Sequence, residues 1–309
     1  MYIDFFEGLG RFQVENHIEE CDNRPLDVEE AQSPTPPKFH SATGQRAPTR
    51  KTAFTKLPKL VALALGDTFI GNTGMEGGGA ELNKTFILEL LEPYLEQQEK
   101  ETLEILKSIQ DLKDSQSIIK KLDAMKAGEE LITIGGYTTR HGGHALLYKI
   151  NKEDNDTFQF TVINTGAGAE NHLTETDSKK RKIKPFYILK NIKKEKILDK
   201  DFWDSILELE KYEDTIDGKE VLFKHDSEDI YWRIMPFLEG NRDLEEEKKL
   251  RSITPQRSGT CSYKCLLALL STKLGESEYK RITFLIKYTS MMKLYQELSR
   301  SEYFDSDNI

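Results

Sequence analysis

Three apolar runs between Leu131 and Ile163 constrain this chain more than any other feature. They are Leu131-Ile132-Thr133-Ile134, His144-Ala145-Leu146-Leu147-Tyr148-Lys149-Ile150 and Phe158-Gln159-Phe160-Thr161-Val162-Ile163. Gly135-Gly136 ends the first, and the polar run Asn151–Asp156 separates the second from the third. Short runs bounded by turn residues predict strands, and the last two read as an antiparallel hairpin. Pro185-Phe186-Tyr187-Ile188-Leu189 is a further strand candidate, and Asp229–Ile234 reads as a short strand or its edge. On either side the period is helical. Phe86, Ile87, Leu90 and Leu91, then Leu103, Leu106, Ile109 and Leu112, recur at steps of three and four, with Pro93 dividing the pattern. Ile118, Ile119, Leu122 and Met125 add another turn or two, Phe202–Leu209 reads as helix, and Cys261–Leu270 and Glu276–Leu298 are strongly helical. The expectation is an α+β fold: a small mixed or antiparallel sheet packed against the helix that opens at Cys261, with an additional helical region.

Three regions follow. Residues 1–56 are polar and proline-dotted after an apolar start (Tyr2, Ile3, Phe5, Phe6, Phe12) and read as a mostly extended or flexible lead-in. Residues 57–128 form a helical region suited to substrate recognition, opening with Leu57–Leu65 as a strand or a buried helix. Residues 129–309 form the core. The glycines from Gly66 to Gly79 are not closed by Gly-Lys-Ser/Thr and read as a surface loop, not a phosphate cradle.

Composition narrows the chemistry. With 53 Asp and Glu against 44 Lys and Arg, the chain carries a net charge near −9, which argues against a nucleic-acid surface as its main function. No apolar span is long enough to cross a bilayer, so no transmembrane segment is expected. Three cysteines in 309 residues (Cys21, Cys261, Cys265) make no disulfide framework and suit a reducing, cytosol-like setting. No cofactor and no metal are expected. Cys261, Cys265, His141 and His144 do not read as a zinc site, because structural zinc sites pair their cysteines in knuckles.

One of these cysteines is well placed to react. In Thr254-Pro255-Gln256-Arg257-Ser258-Gly259-Thr260-Cys261 the thiol sits where a small-residue turn meets an apolar helix, and Gln256 precedes it by five positions. A helix N-terminus favours a thiolate. A glutamine amide beside the sulfur can donate to an oxyanion. For a base there is His144, at the start of its strand, with His141 as a rival in the loop before it. If the hairpin pairs residues whose numbers sum to about 308, His144 lies opposite Asn164. Asn164 would then accept the Nδ1–H of His144 and leave Nε2 facing the thiol. A slip of one residue would separate them to opposite faces.

His144 before an apolar strand, Asn164 at a strand end, then Gln256 and Cys261 opening a helix, resemble the ubiquitin-like-protease/adenovirus-protease type of cysteine peptidase, clan CE. Its members carry His, Asp or Asn, Gln and Cys in that chain order. The resemblance covers roughly residues 130–270 and implies His144 as general base and acid, Asn164 as its orienter, Gln256 as oxyanion donor and Cys261 as nucleophile. It departs at Ala145, where eukaryotic members commonly carry an aromatic, at Asn164 in the acid position, and in a Gln-to-Cys gap shorter by one than the commonest eukaryotic pattern. His144-Ala145-Leu146-Leu147-Tyr148 and Asn164-Thr165-Gly166-Ala167-Gly168 are also similar to effectors of legionellae and chlamydiae. The resemblance therefore implies an effector deubiquitinase acting on ubiquitin or a ubiquitin-like modifier, in the cytosol or, once secreted, in a host cell's cytoplasm. Acetyl transfer on a related Cys/His scaffold, or an inactive binding module, are the alternative functions.

The remaining signals have structural readings. Cys265, one turn after Cys261, reads as core. His172, after the glycine turn, reads as exposed, with an approach to the site as the alternative; Asp154, Asp156 and Asp177 read as solvated turn residues, and Trp203 and Trp232 as core or rim aromatics. Lys179–Lys182 with Lys184 reads as a solvated basic loop, and Glu302–Asp307 as a solvated acidic end.

Overall fold

A computed structural model describes residues 50–65, 80–95, 100–139, 142–177, 180–210, 229–256 and 260–300. The lead-in up to residue 49, the glycine run 66–79, His141, Ser258-Gly259 and the acidic end 302–307 lie outside the described residues. All described residues belong to one unit, Pro48–Ile309.

Four helices come first: α1 (Arg50–Leu65), α2 (Ala80–Leu91), α3 (Lys100–Ser108) and α4 (Ser115–Ala124). The run Leu57–Leu65 is thus helix, and the helix begins within the lead-in expected to be extended. Pro93 sits in a 3₁₀ turn after α2, where its missing N–H ends the α-helical ladder. Strands β1 (Glu130–Thr139), β2 (Gly142–Lys152) and β3 (Thr157–Ile163) follow, then the small pair β4 (Thr174–Asp177) and β5 (Lys180–Ile183), and β6 (Phe186–Lys193). After α5 (Lys194–Ile197) and α6 (Lys200–Glu208), the segment Asp229–Ile234 is a π-helix and not the expected short strand or strand edge. β7 (Asn241–Arg242), α7 (Leu244–Lys249), α8 (Cys261–Lys273) and α9 (Glu276–Arg300) complete the chain. The fold is α+β.

The main sheet is antiparallel, in the order β1-β2-β3-β6-β7. Its β1 edge is partly covered by Gln110, which exchanges main-chain hydrogen bonds with Ile132 and Ile134 at 2.9 and 2.8 Å. Side-chain alternation divides the molecule. Ile132, Ile134, Ala145, Leu147, Ile163, Phe186 and Ile188 join a core with α1, α2, α3, α8 and α9. Leu131, Tyr137, Leu146, Tyr148, Ile150, Phe158, Phe160 and Val162 face the opposite core, with α4, α6 and the π-helix. Trp203 anchors that second core, fully buried, its indole N–H donating to Ile197 O at 2.7 Å. Trp232 is 70 % exposed. Among the described residues no helix is long and apolar enough to cross a membrane.

The β2–β3 register differs from the expected one. Leu147 pairs with Ile163 and Lys152 with Phe158, so paired numbers sum to 310 and not 308. The cause lies in the turn. Asp154 Oδ1 accepts the N–H groups of Asp156 and Thr157, both at 2.8 Å, and Glu153 N–H bonds Thr157 O at 3.0 Å. The loop is therefore Asp154–Asp156, centred later than the polar run as a whole. An offset of two leaves every side chain on its expected face.

Candidate active site

The ladder between β2 and β3 starts at Leu147 and Ile163; before it β2 pairs with β1 alone, and after it the chain leaves β3 beside β2 without pairing. His144 lies on this stretch of β2, and Asn164 is the first residue after β3. Both are buried, at 7 % and 0 % exposure. His144 Nε2 and Asn164 Oδ1 are 2.8 Å apart, a diagonal contact that the two-residue register offset permits.

The partners of Asn164 fix the protonation pattern. Its Oδ1 also accepts Gly166 N–H at 3.0 Å, and its Nδ2 donates to Ala167 O at 2.8 Å. A carbonyl on one side and an N–H on the other favour the orientation with Oδ1 toward His144. With Oδ1 an acceptor, His144 must present Nε2–H to it, and in the neutral ring the lone pair is on Nδ1. This reverses the expected roles of the two ring nitrogens. Tyr137, the cross-strand partner of His144 on β1, packs a tilted ring 5.3 Å from the imidazole and donates its hydroxyl to Ala167 O at 3.2 Å.

Cys261 reaches this point from the other core. It opens α8, whose first helical bond runs from Lys264 N–H to Thr260 O at 2.9 Å. Its Sγ accepts the N–H of Ala145, the residue after His144, at 3.3 Å. Cys265 takes the other end of the same residue, its Sγ lying 3.6 Å from Ala145 O and 3.4 Å from Ile163 O. Burial pushes the Cys265 thiol well above the ordinary thiol range. Cys265 is thus core, as expected, and Cys261 is 1 % exposed in this state.

Gln256 arrives beside them. Its main-chain N–H donates to Thr165 O at 2.9 Å, and its Oε1 accepts the Thr165 hydroxyl at 3.1 Å. With Oε1 engaged there, Nε2 is the end left to donate. A methyl group on Gly166 would stand 2.5 Å from Gln256 Nε2 and 2.7 Å from His144 Cε1. The amide and the ring therefore flank one glycine, and only a residue without a side chain fits between them. His144, Asn164, Gln256 and Cys261 are brought together.

A cleft of about 90 Å³ adjoins His144. Gly135 and Gly136 form part of its wall, and Glu81, Asp111, Lys113 and Glu210 give it polar sides. Burial pushes the Glu210 carboxyl up, opposed by Lys113, whose ammonium bonds Glu210 Oε2 at 2.8 Å.

Two further participants join the site, of which Tyr231 was not read from the sequence. Tyr231, on the π-helix, accepts from Asn164 Nδ2 at 3.1 Å, and His172 bonds the Tyr231 hydroxyl at 2.7 Å. His172 is buried, against its expected exposure. Part of the basic run is strand β5, and Lys184 is buried, bonding Leu250 O at 2.6 Å. Among the described residues no three His, Cys, Asp or Glu side chains converge as metal ligands would. No protein-family model, curated protein or solved structure matches the chain.

Proposed function

We propose that this chain is a cysteine peptidase of the clan CE type, cleaving at the C-terminal Gly-Gly linkage of ubiquitin or a ubiquitin-like modifier. The carrying observation is the pair of contacts that meet at β2. His144 is held by Asn164 at 2.8 Å, and the Cys261 sulfur is held by the amide of the next residue at 3.3 Å. A core histidine needs no thiol beside it, and a core thiol needs no histidine fixed in a single tautomer.

In this reading the Cys261 proton passes to His144 Nδ1 and Sγ attacks the substrate carbonyl carbon. Gln256 Nε2 and a main-chain N–H bind the oxyanion. The tetrahedral centre collapses with cleavage of the C–N bond, and His144 returns the proton to the leaving amine. Water, deprotonated by the same nitrogen, then releases the acyl group from sulfur. Action on host conjugates, as a secreted effector, rests on the resemblance to effector proteins.

An electrophilic probe built on the ubiquitin C-terminus tests the reading. The native chain labels at Cys261 and the Cys261→Ala variant does not; equal labelling of both overturns the assignment. A panel of probes on other ubiquitin-like proteins names the modifier.

A further inference from the structure

The contacts of Asn164 continue away from His144 in one direction, and each donor can be assigned. His172 Nδ1 lies 2.9 Å from Lys184 O. A carbonyl only accepts, so Nδ1 carries the proton. In the neutral ring Nε2 is then an acceptor, and its partner at 2.7 Å, the Tyr231 hydroxyl, must donate to it. Tyr231 has its single hydrogen committed there, so its oxygen can only accept from Asn164 Nδ2, at 3.1 Å. This adds to the preference that Gly166 N–H and Ala167 O already give for Oδ1 toward His144, so the far end of the chain shares in setting the His144 tautomer.

The surroundings hold this order in place. His172 and Tyr231 are buried, at 4 % exposure each. Their rings meet edge to face, centroids 5.4 Å apart, and Tyr187 packs against both at 6.0 and 5.3 Å. The guanidinium of Arg242 covers the outer face of this group, 4.1 Å from the Tyr187 centroid. Burial holds His172 neutral, with a pKa pushed down to about 3.

We infer that Tyr231 and His172 are positioning residues: the directed chain from Lys184 O through His172, Tyr231 and Asn164 holds His144 in the Nε2–H tautomer and leaves its Nδ1 lone pair to take up a proton. The consequence for catalysis rests on the hydrolase reading; the tautomer itself does not. The chain matters here because an amide, unlike a carboxylate, can turn over and offer its NH₂ instead.

The test is ¹⁵N spectroscopy of the full-length chain with labelled histidines, in a Cys261→Ala background so that no thiolate competes. Neutral His144 is expected to show a protonated Nε2 and a bare Nδ1, and His172 the opposite pattern. Tyr231→Phe and His172→Phe, each checked for native circular dichroism, are expected to give His144 a mixture of tautomers. In the Cys261-containing chain both variants are expected to slow iodoacetamide alkylation of Cys261 by about tenfold, the lower end of what removing a supporting partner of a functional histidine costs. Like tautomers for His144 and His172 in the parent chain overturn the inference, even if neither variant folds. So does an unchanged His144 pattern in both folded variants. If the tautomers are as expected but no ubiquitin-like probe is cleaved, the hydrolase reading fails and the positioning chain stands.

Discussion

Asn164 shows how much of this site depends on a single amide. Its Oδ1 accepts two donors and its Nδ2 serves two acceptors. Asn164→Ala removes all four contacts and is expected to lower kcat for a fluorogenic ubiquitin substrate by about 10–100-fold with little change in KM. Asn164→Asp keeps the acceptor for His144 but leaves Ala167 O and Tyr231 without their donor, so it should retain more activity than the alanine variant. Gly166 gives a steric counterpart. A β-carbon there would collide with both Gln256 and His144, and flexible side chains must move to admit it. Gly166→Ala should cost roughly 100-fold in kcat, the scale of a displacement near 1 Å, while the thermal midpoint barely shifts. The histidine and cysteine were legible in the sequence because each stands at the start of a regular element. Tyr231 was not, and His172 was legible only as an alternative. They are 67 and 59 positions from their partners, and neither period nor turn chemistry marks so distant a hydrogen bond.

The elements repeat this division between what local pattern reveals and what tertiary packing decides. The three strands, the two C-terminal helices and the face of every hairpin residue follow from periodicity alone. The ring-nitrogen roles did not, because they depend on a diagonal contact set by a register two residues away from the expected one, and Asp154 sets that register by capping the turn. The π-helix at Asp229–Ile234 buries Ile230, Tyr231 and Ile234 and exposes Trp232, but its short run rich in β-branched and aromatic residues reads as a strand. Packing also joins the N-terminal helices to the site. Asn83 on α2 donates to Ser262 Oγ, in the first turn of α8, at 2.9 Å in a buried setting. Asn83→Ala leaves that junction without its cross-link. It should destabilise the chain by about 1–2 kcal/mol in urea unfolding, and a far smaller effect would show that α2 does not support the cysteine helix.

At the scale of the whole molecule, the sheet separates two cores, and His172 lies within the packing that supports one of them. Its folded pKa, about 3, is below the ordinary value of 6.5, so between those limits the unfolded chain binds more protons than the folded one. Its contribution to stability is complete above pH 6.5 and is lost as pH falls toward 3, at up to about 1.4 kcal/mol per pH unit. Urea midpoints measured from pH 7.5 to 4.5 should fall less steeply in His172→Phe than in the parent; parallel curves would mean the imidazole is not buried neutral. The two cores also divide the candidate chemistry. Cys261 belongs with the helices on one side, whereas Tyr137, whose ring packs against His144, belongs to the other. They meet across Ala145, whose N–H and C=O are taken by the two cysteines of α8. In a machinist's terms, nucleophile and base are gauged from the same datum: one residue, Ala145, locates the helix and is bonded directly to the histidine. Breathing of either core can carry the pair along together, and the alignment between them accumulates the tolerance of a single residue instead of the sum over two packed layers.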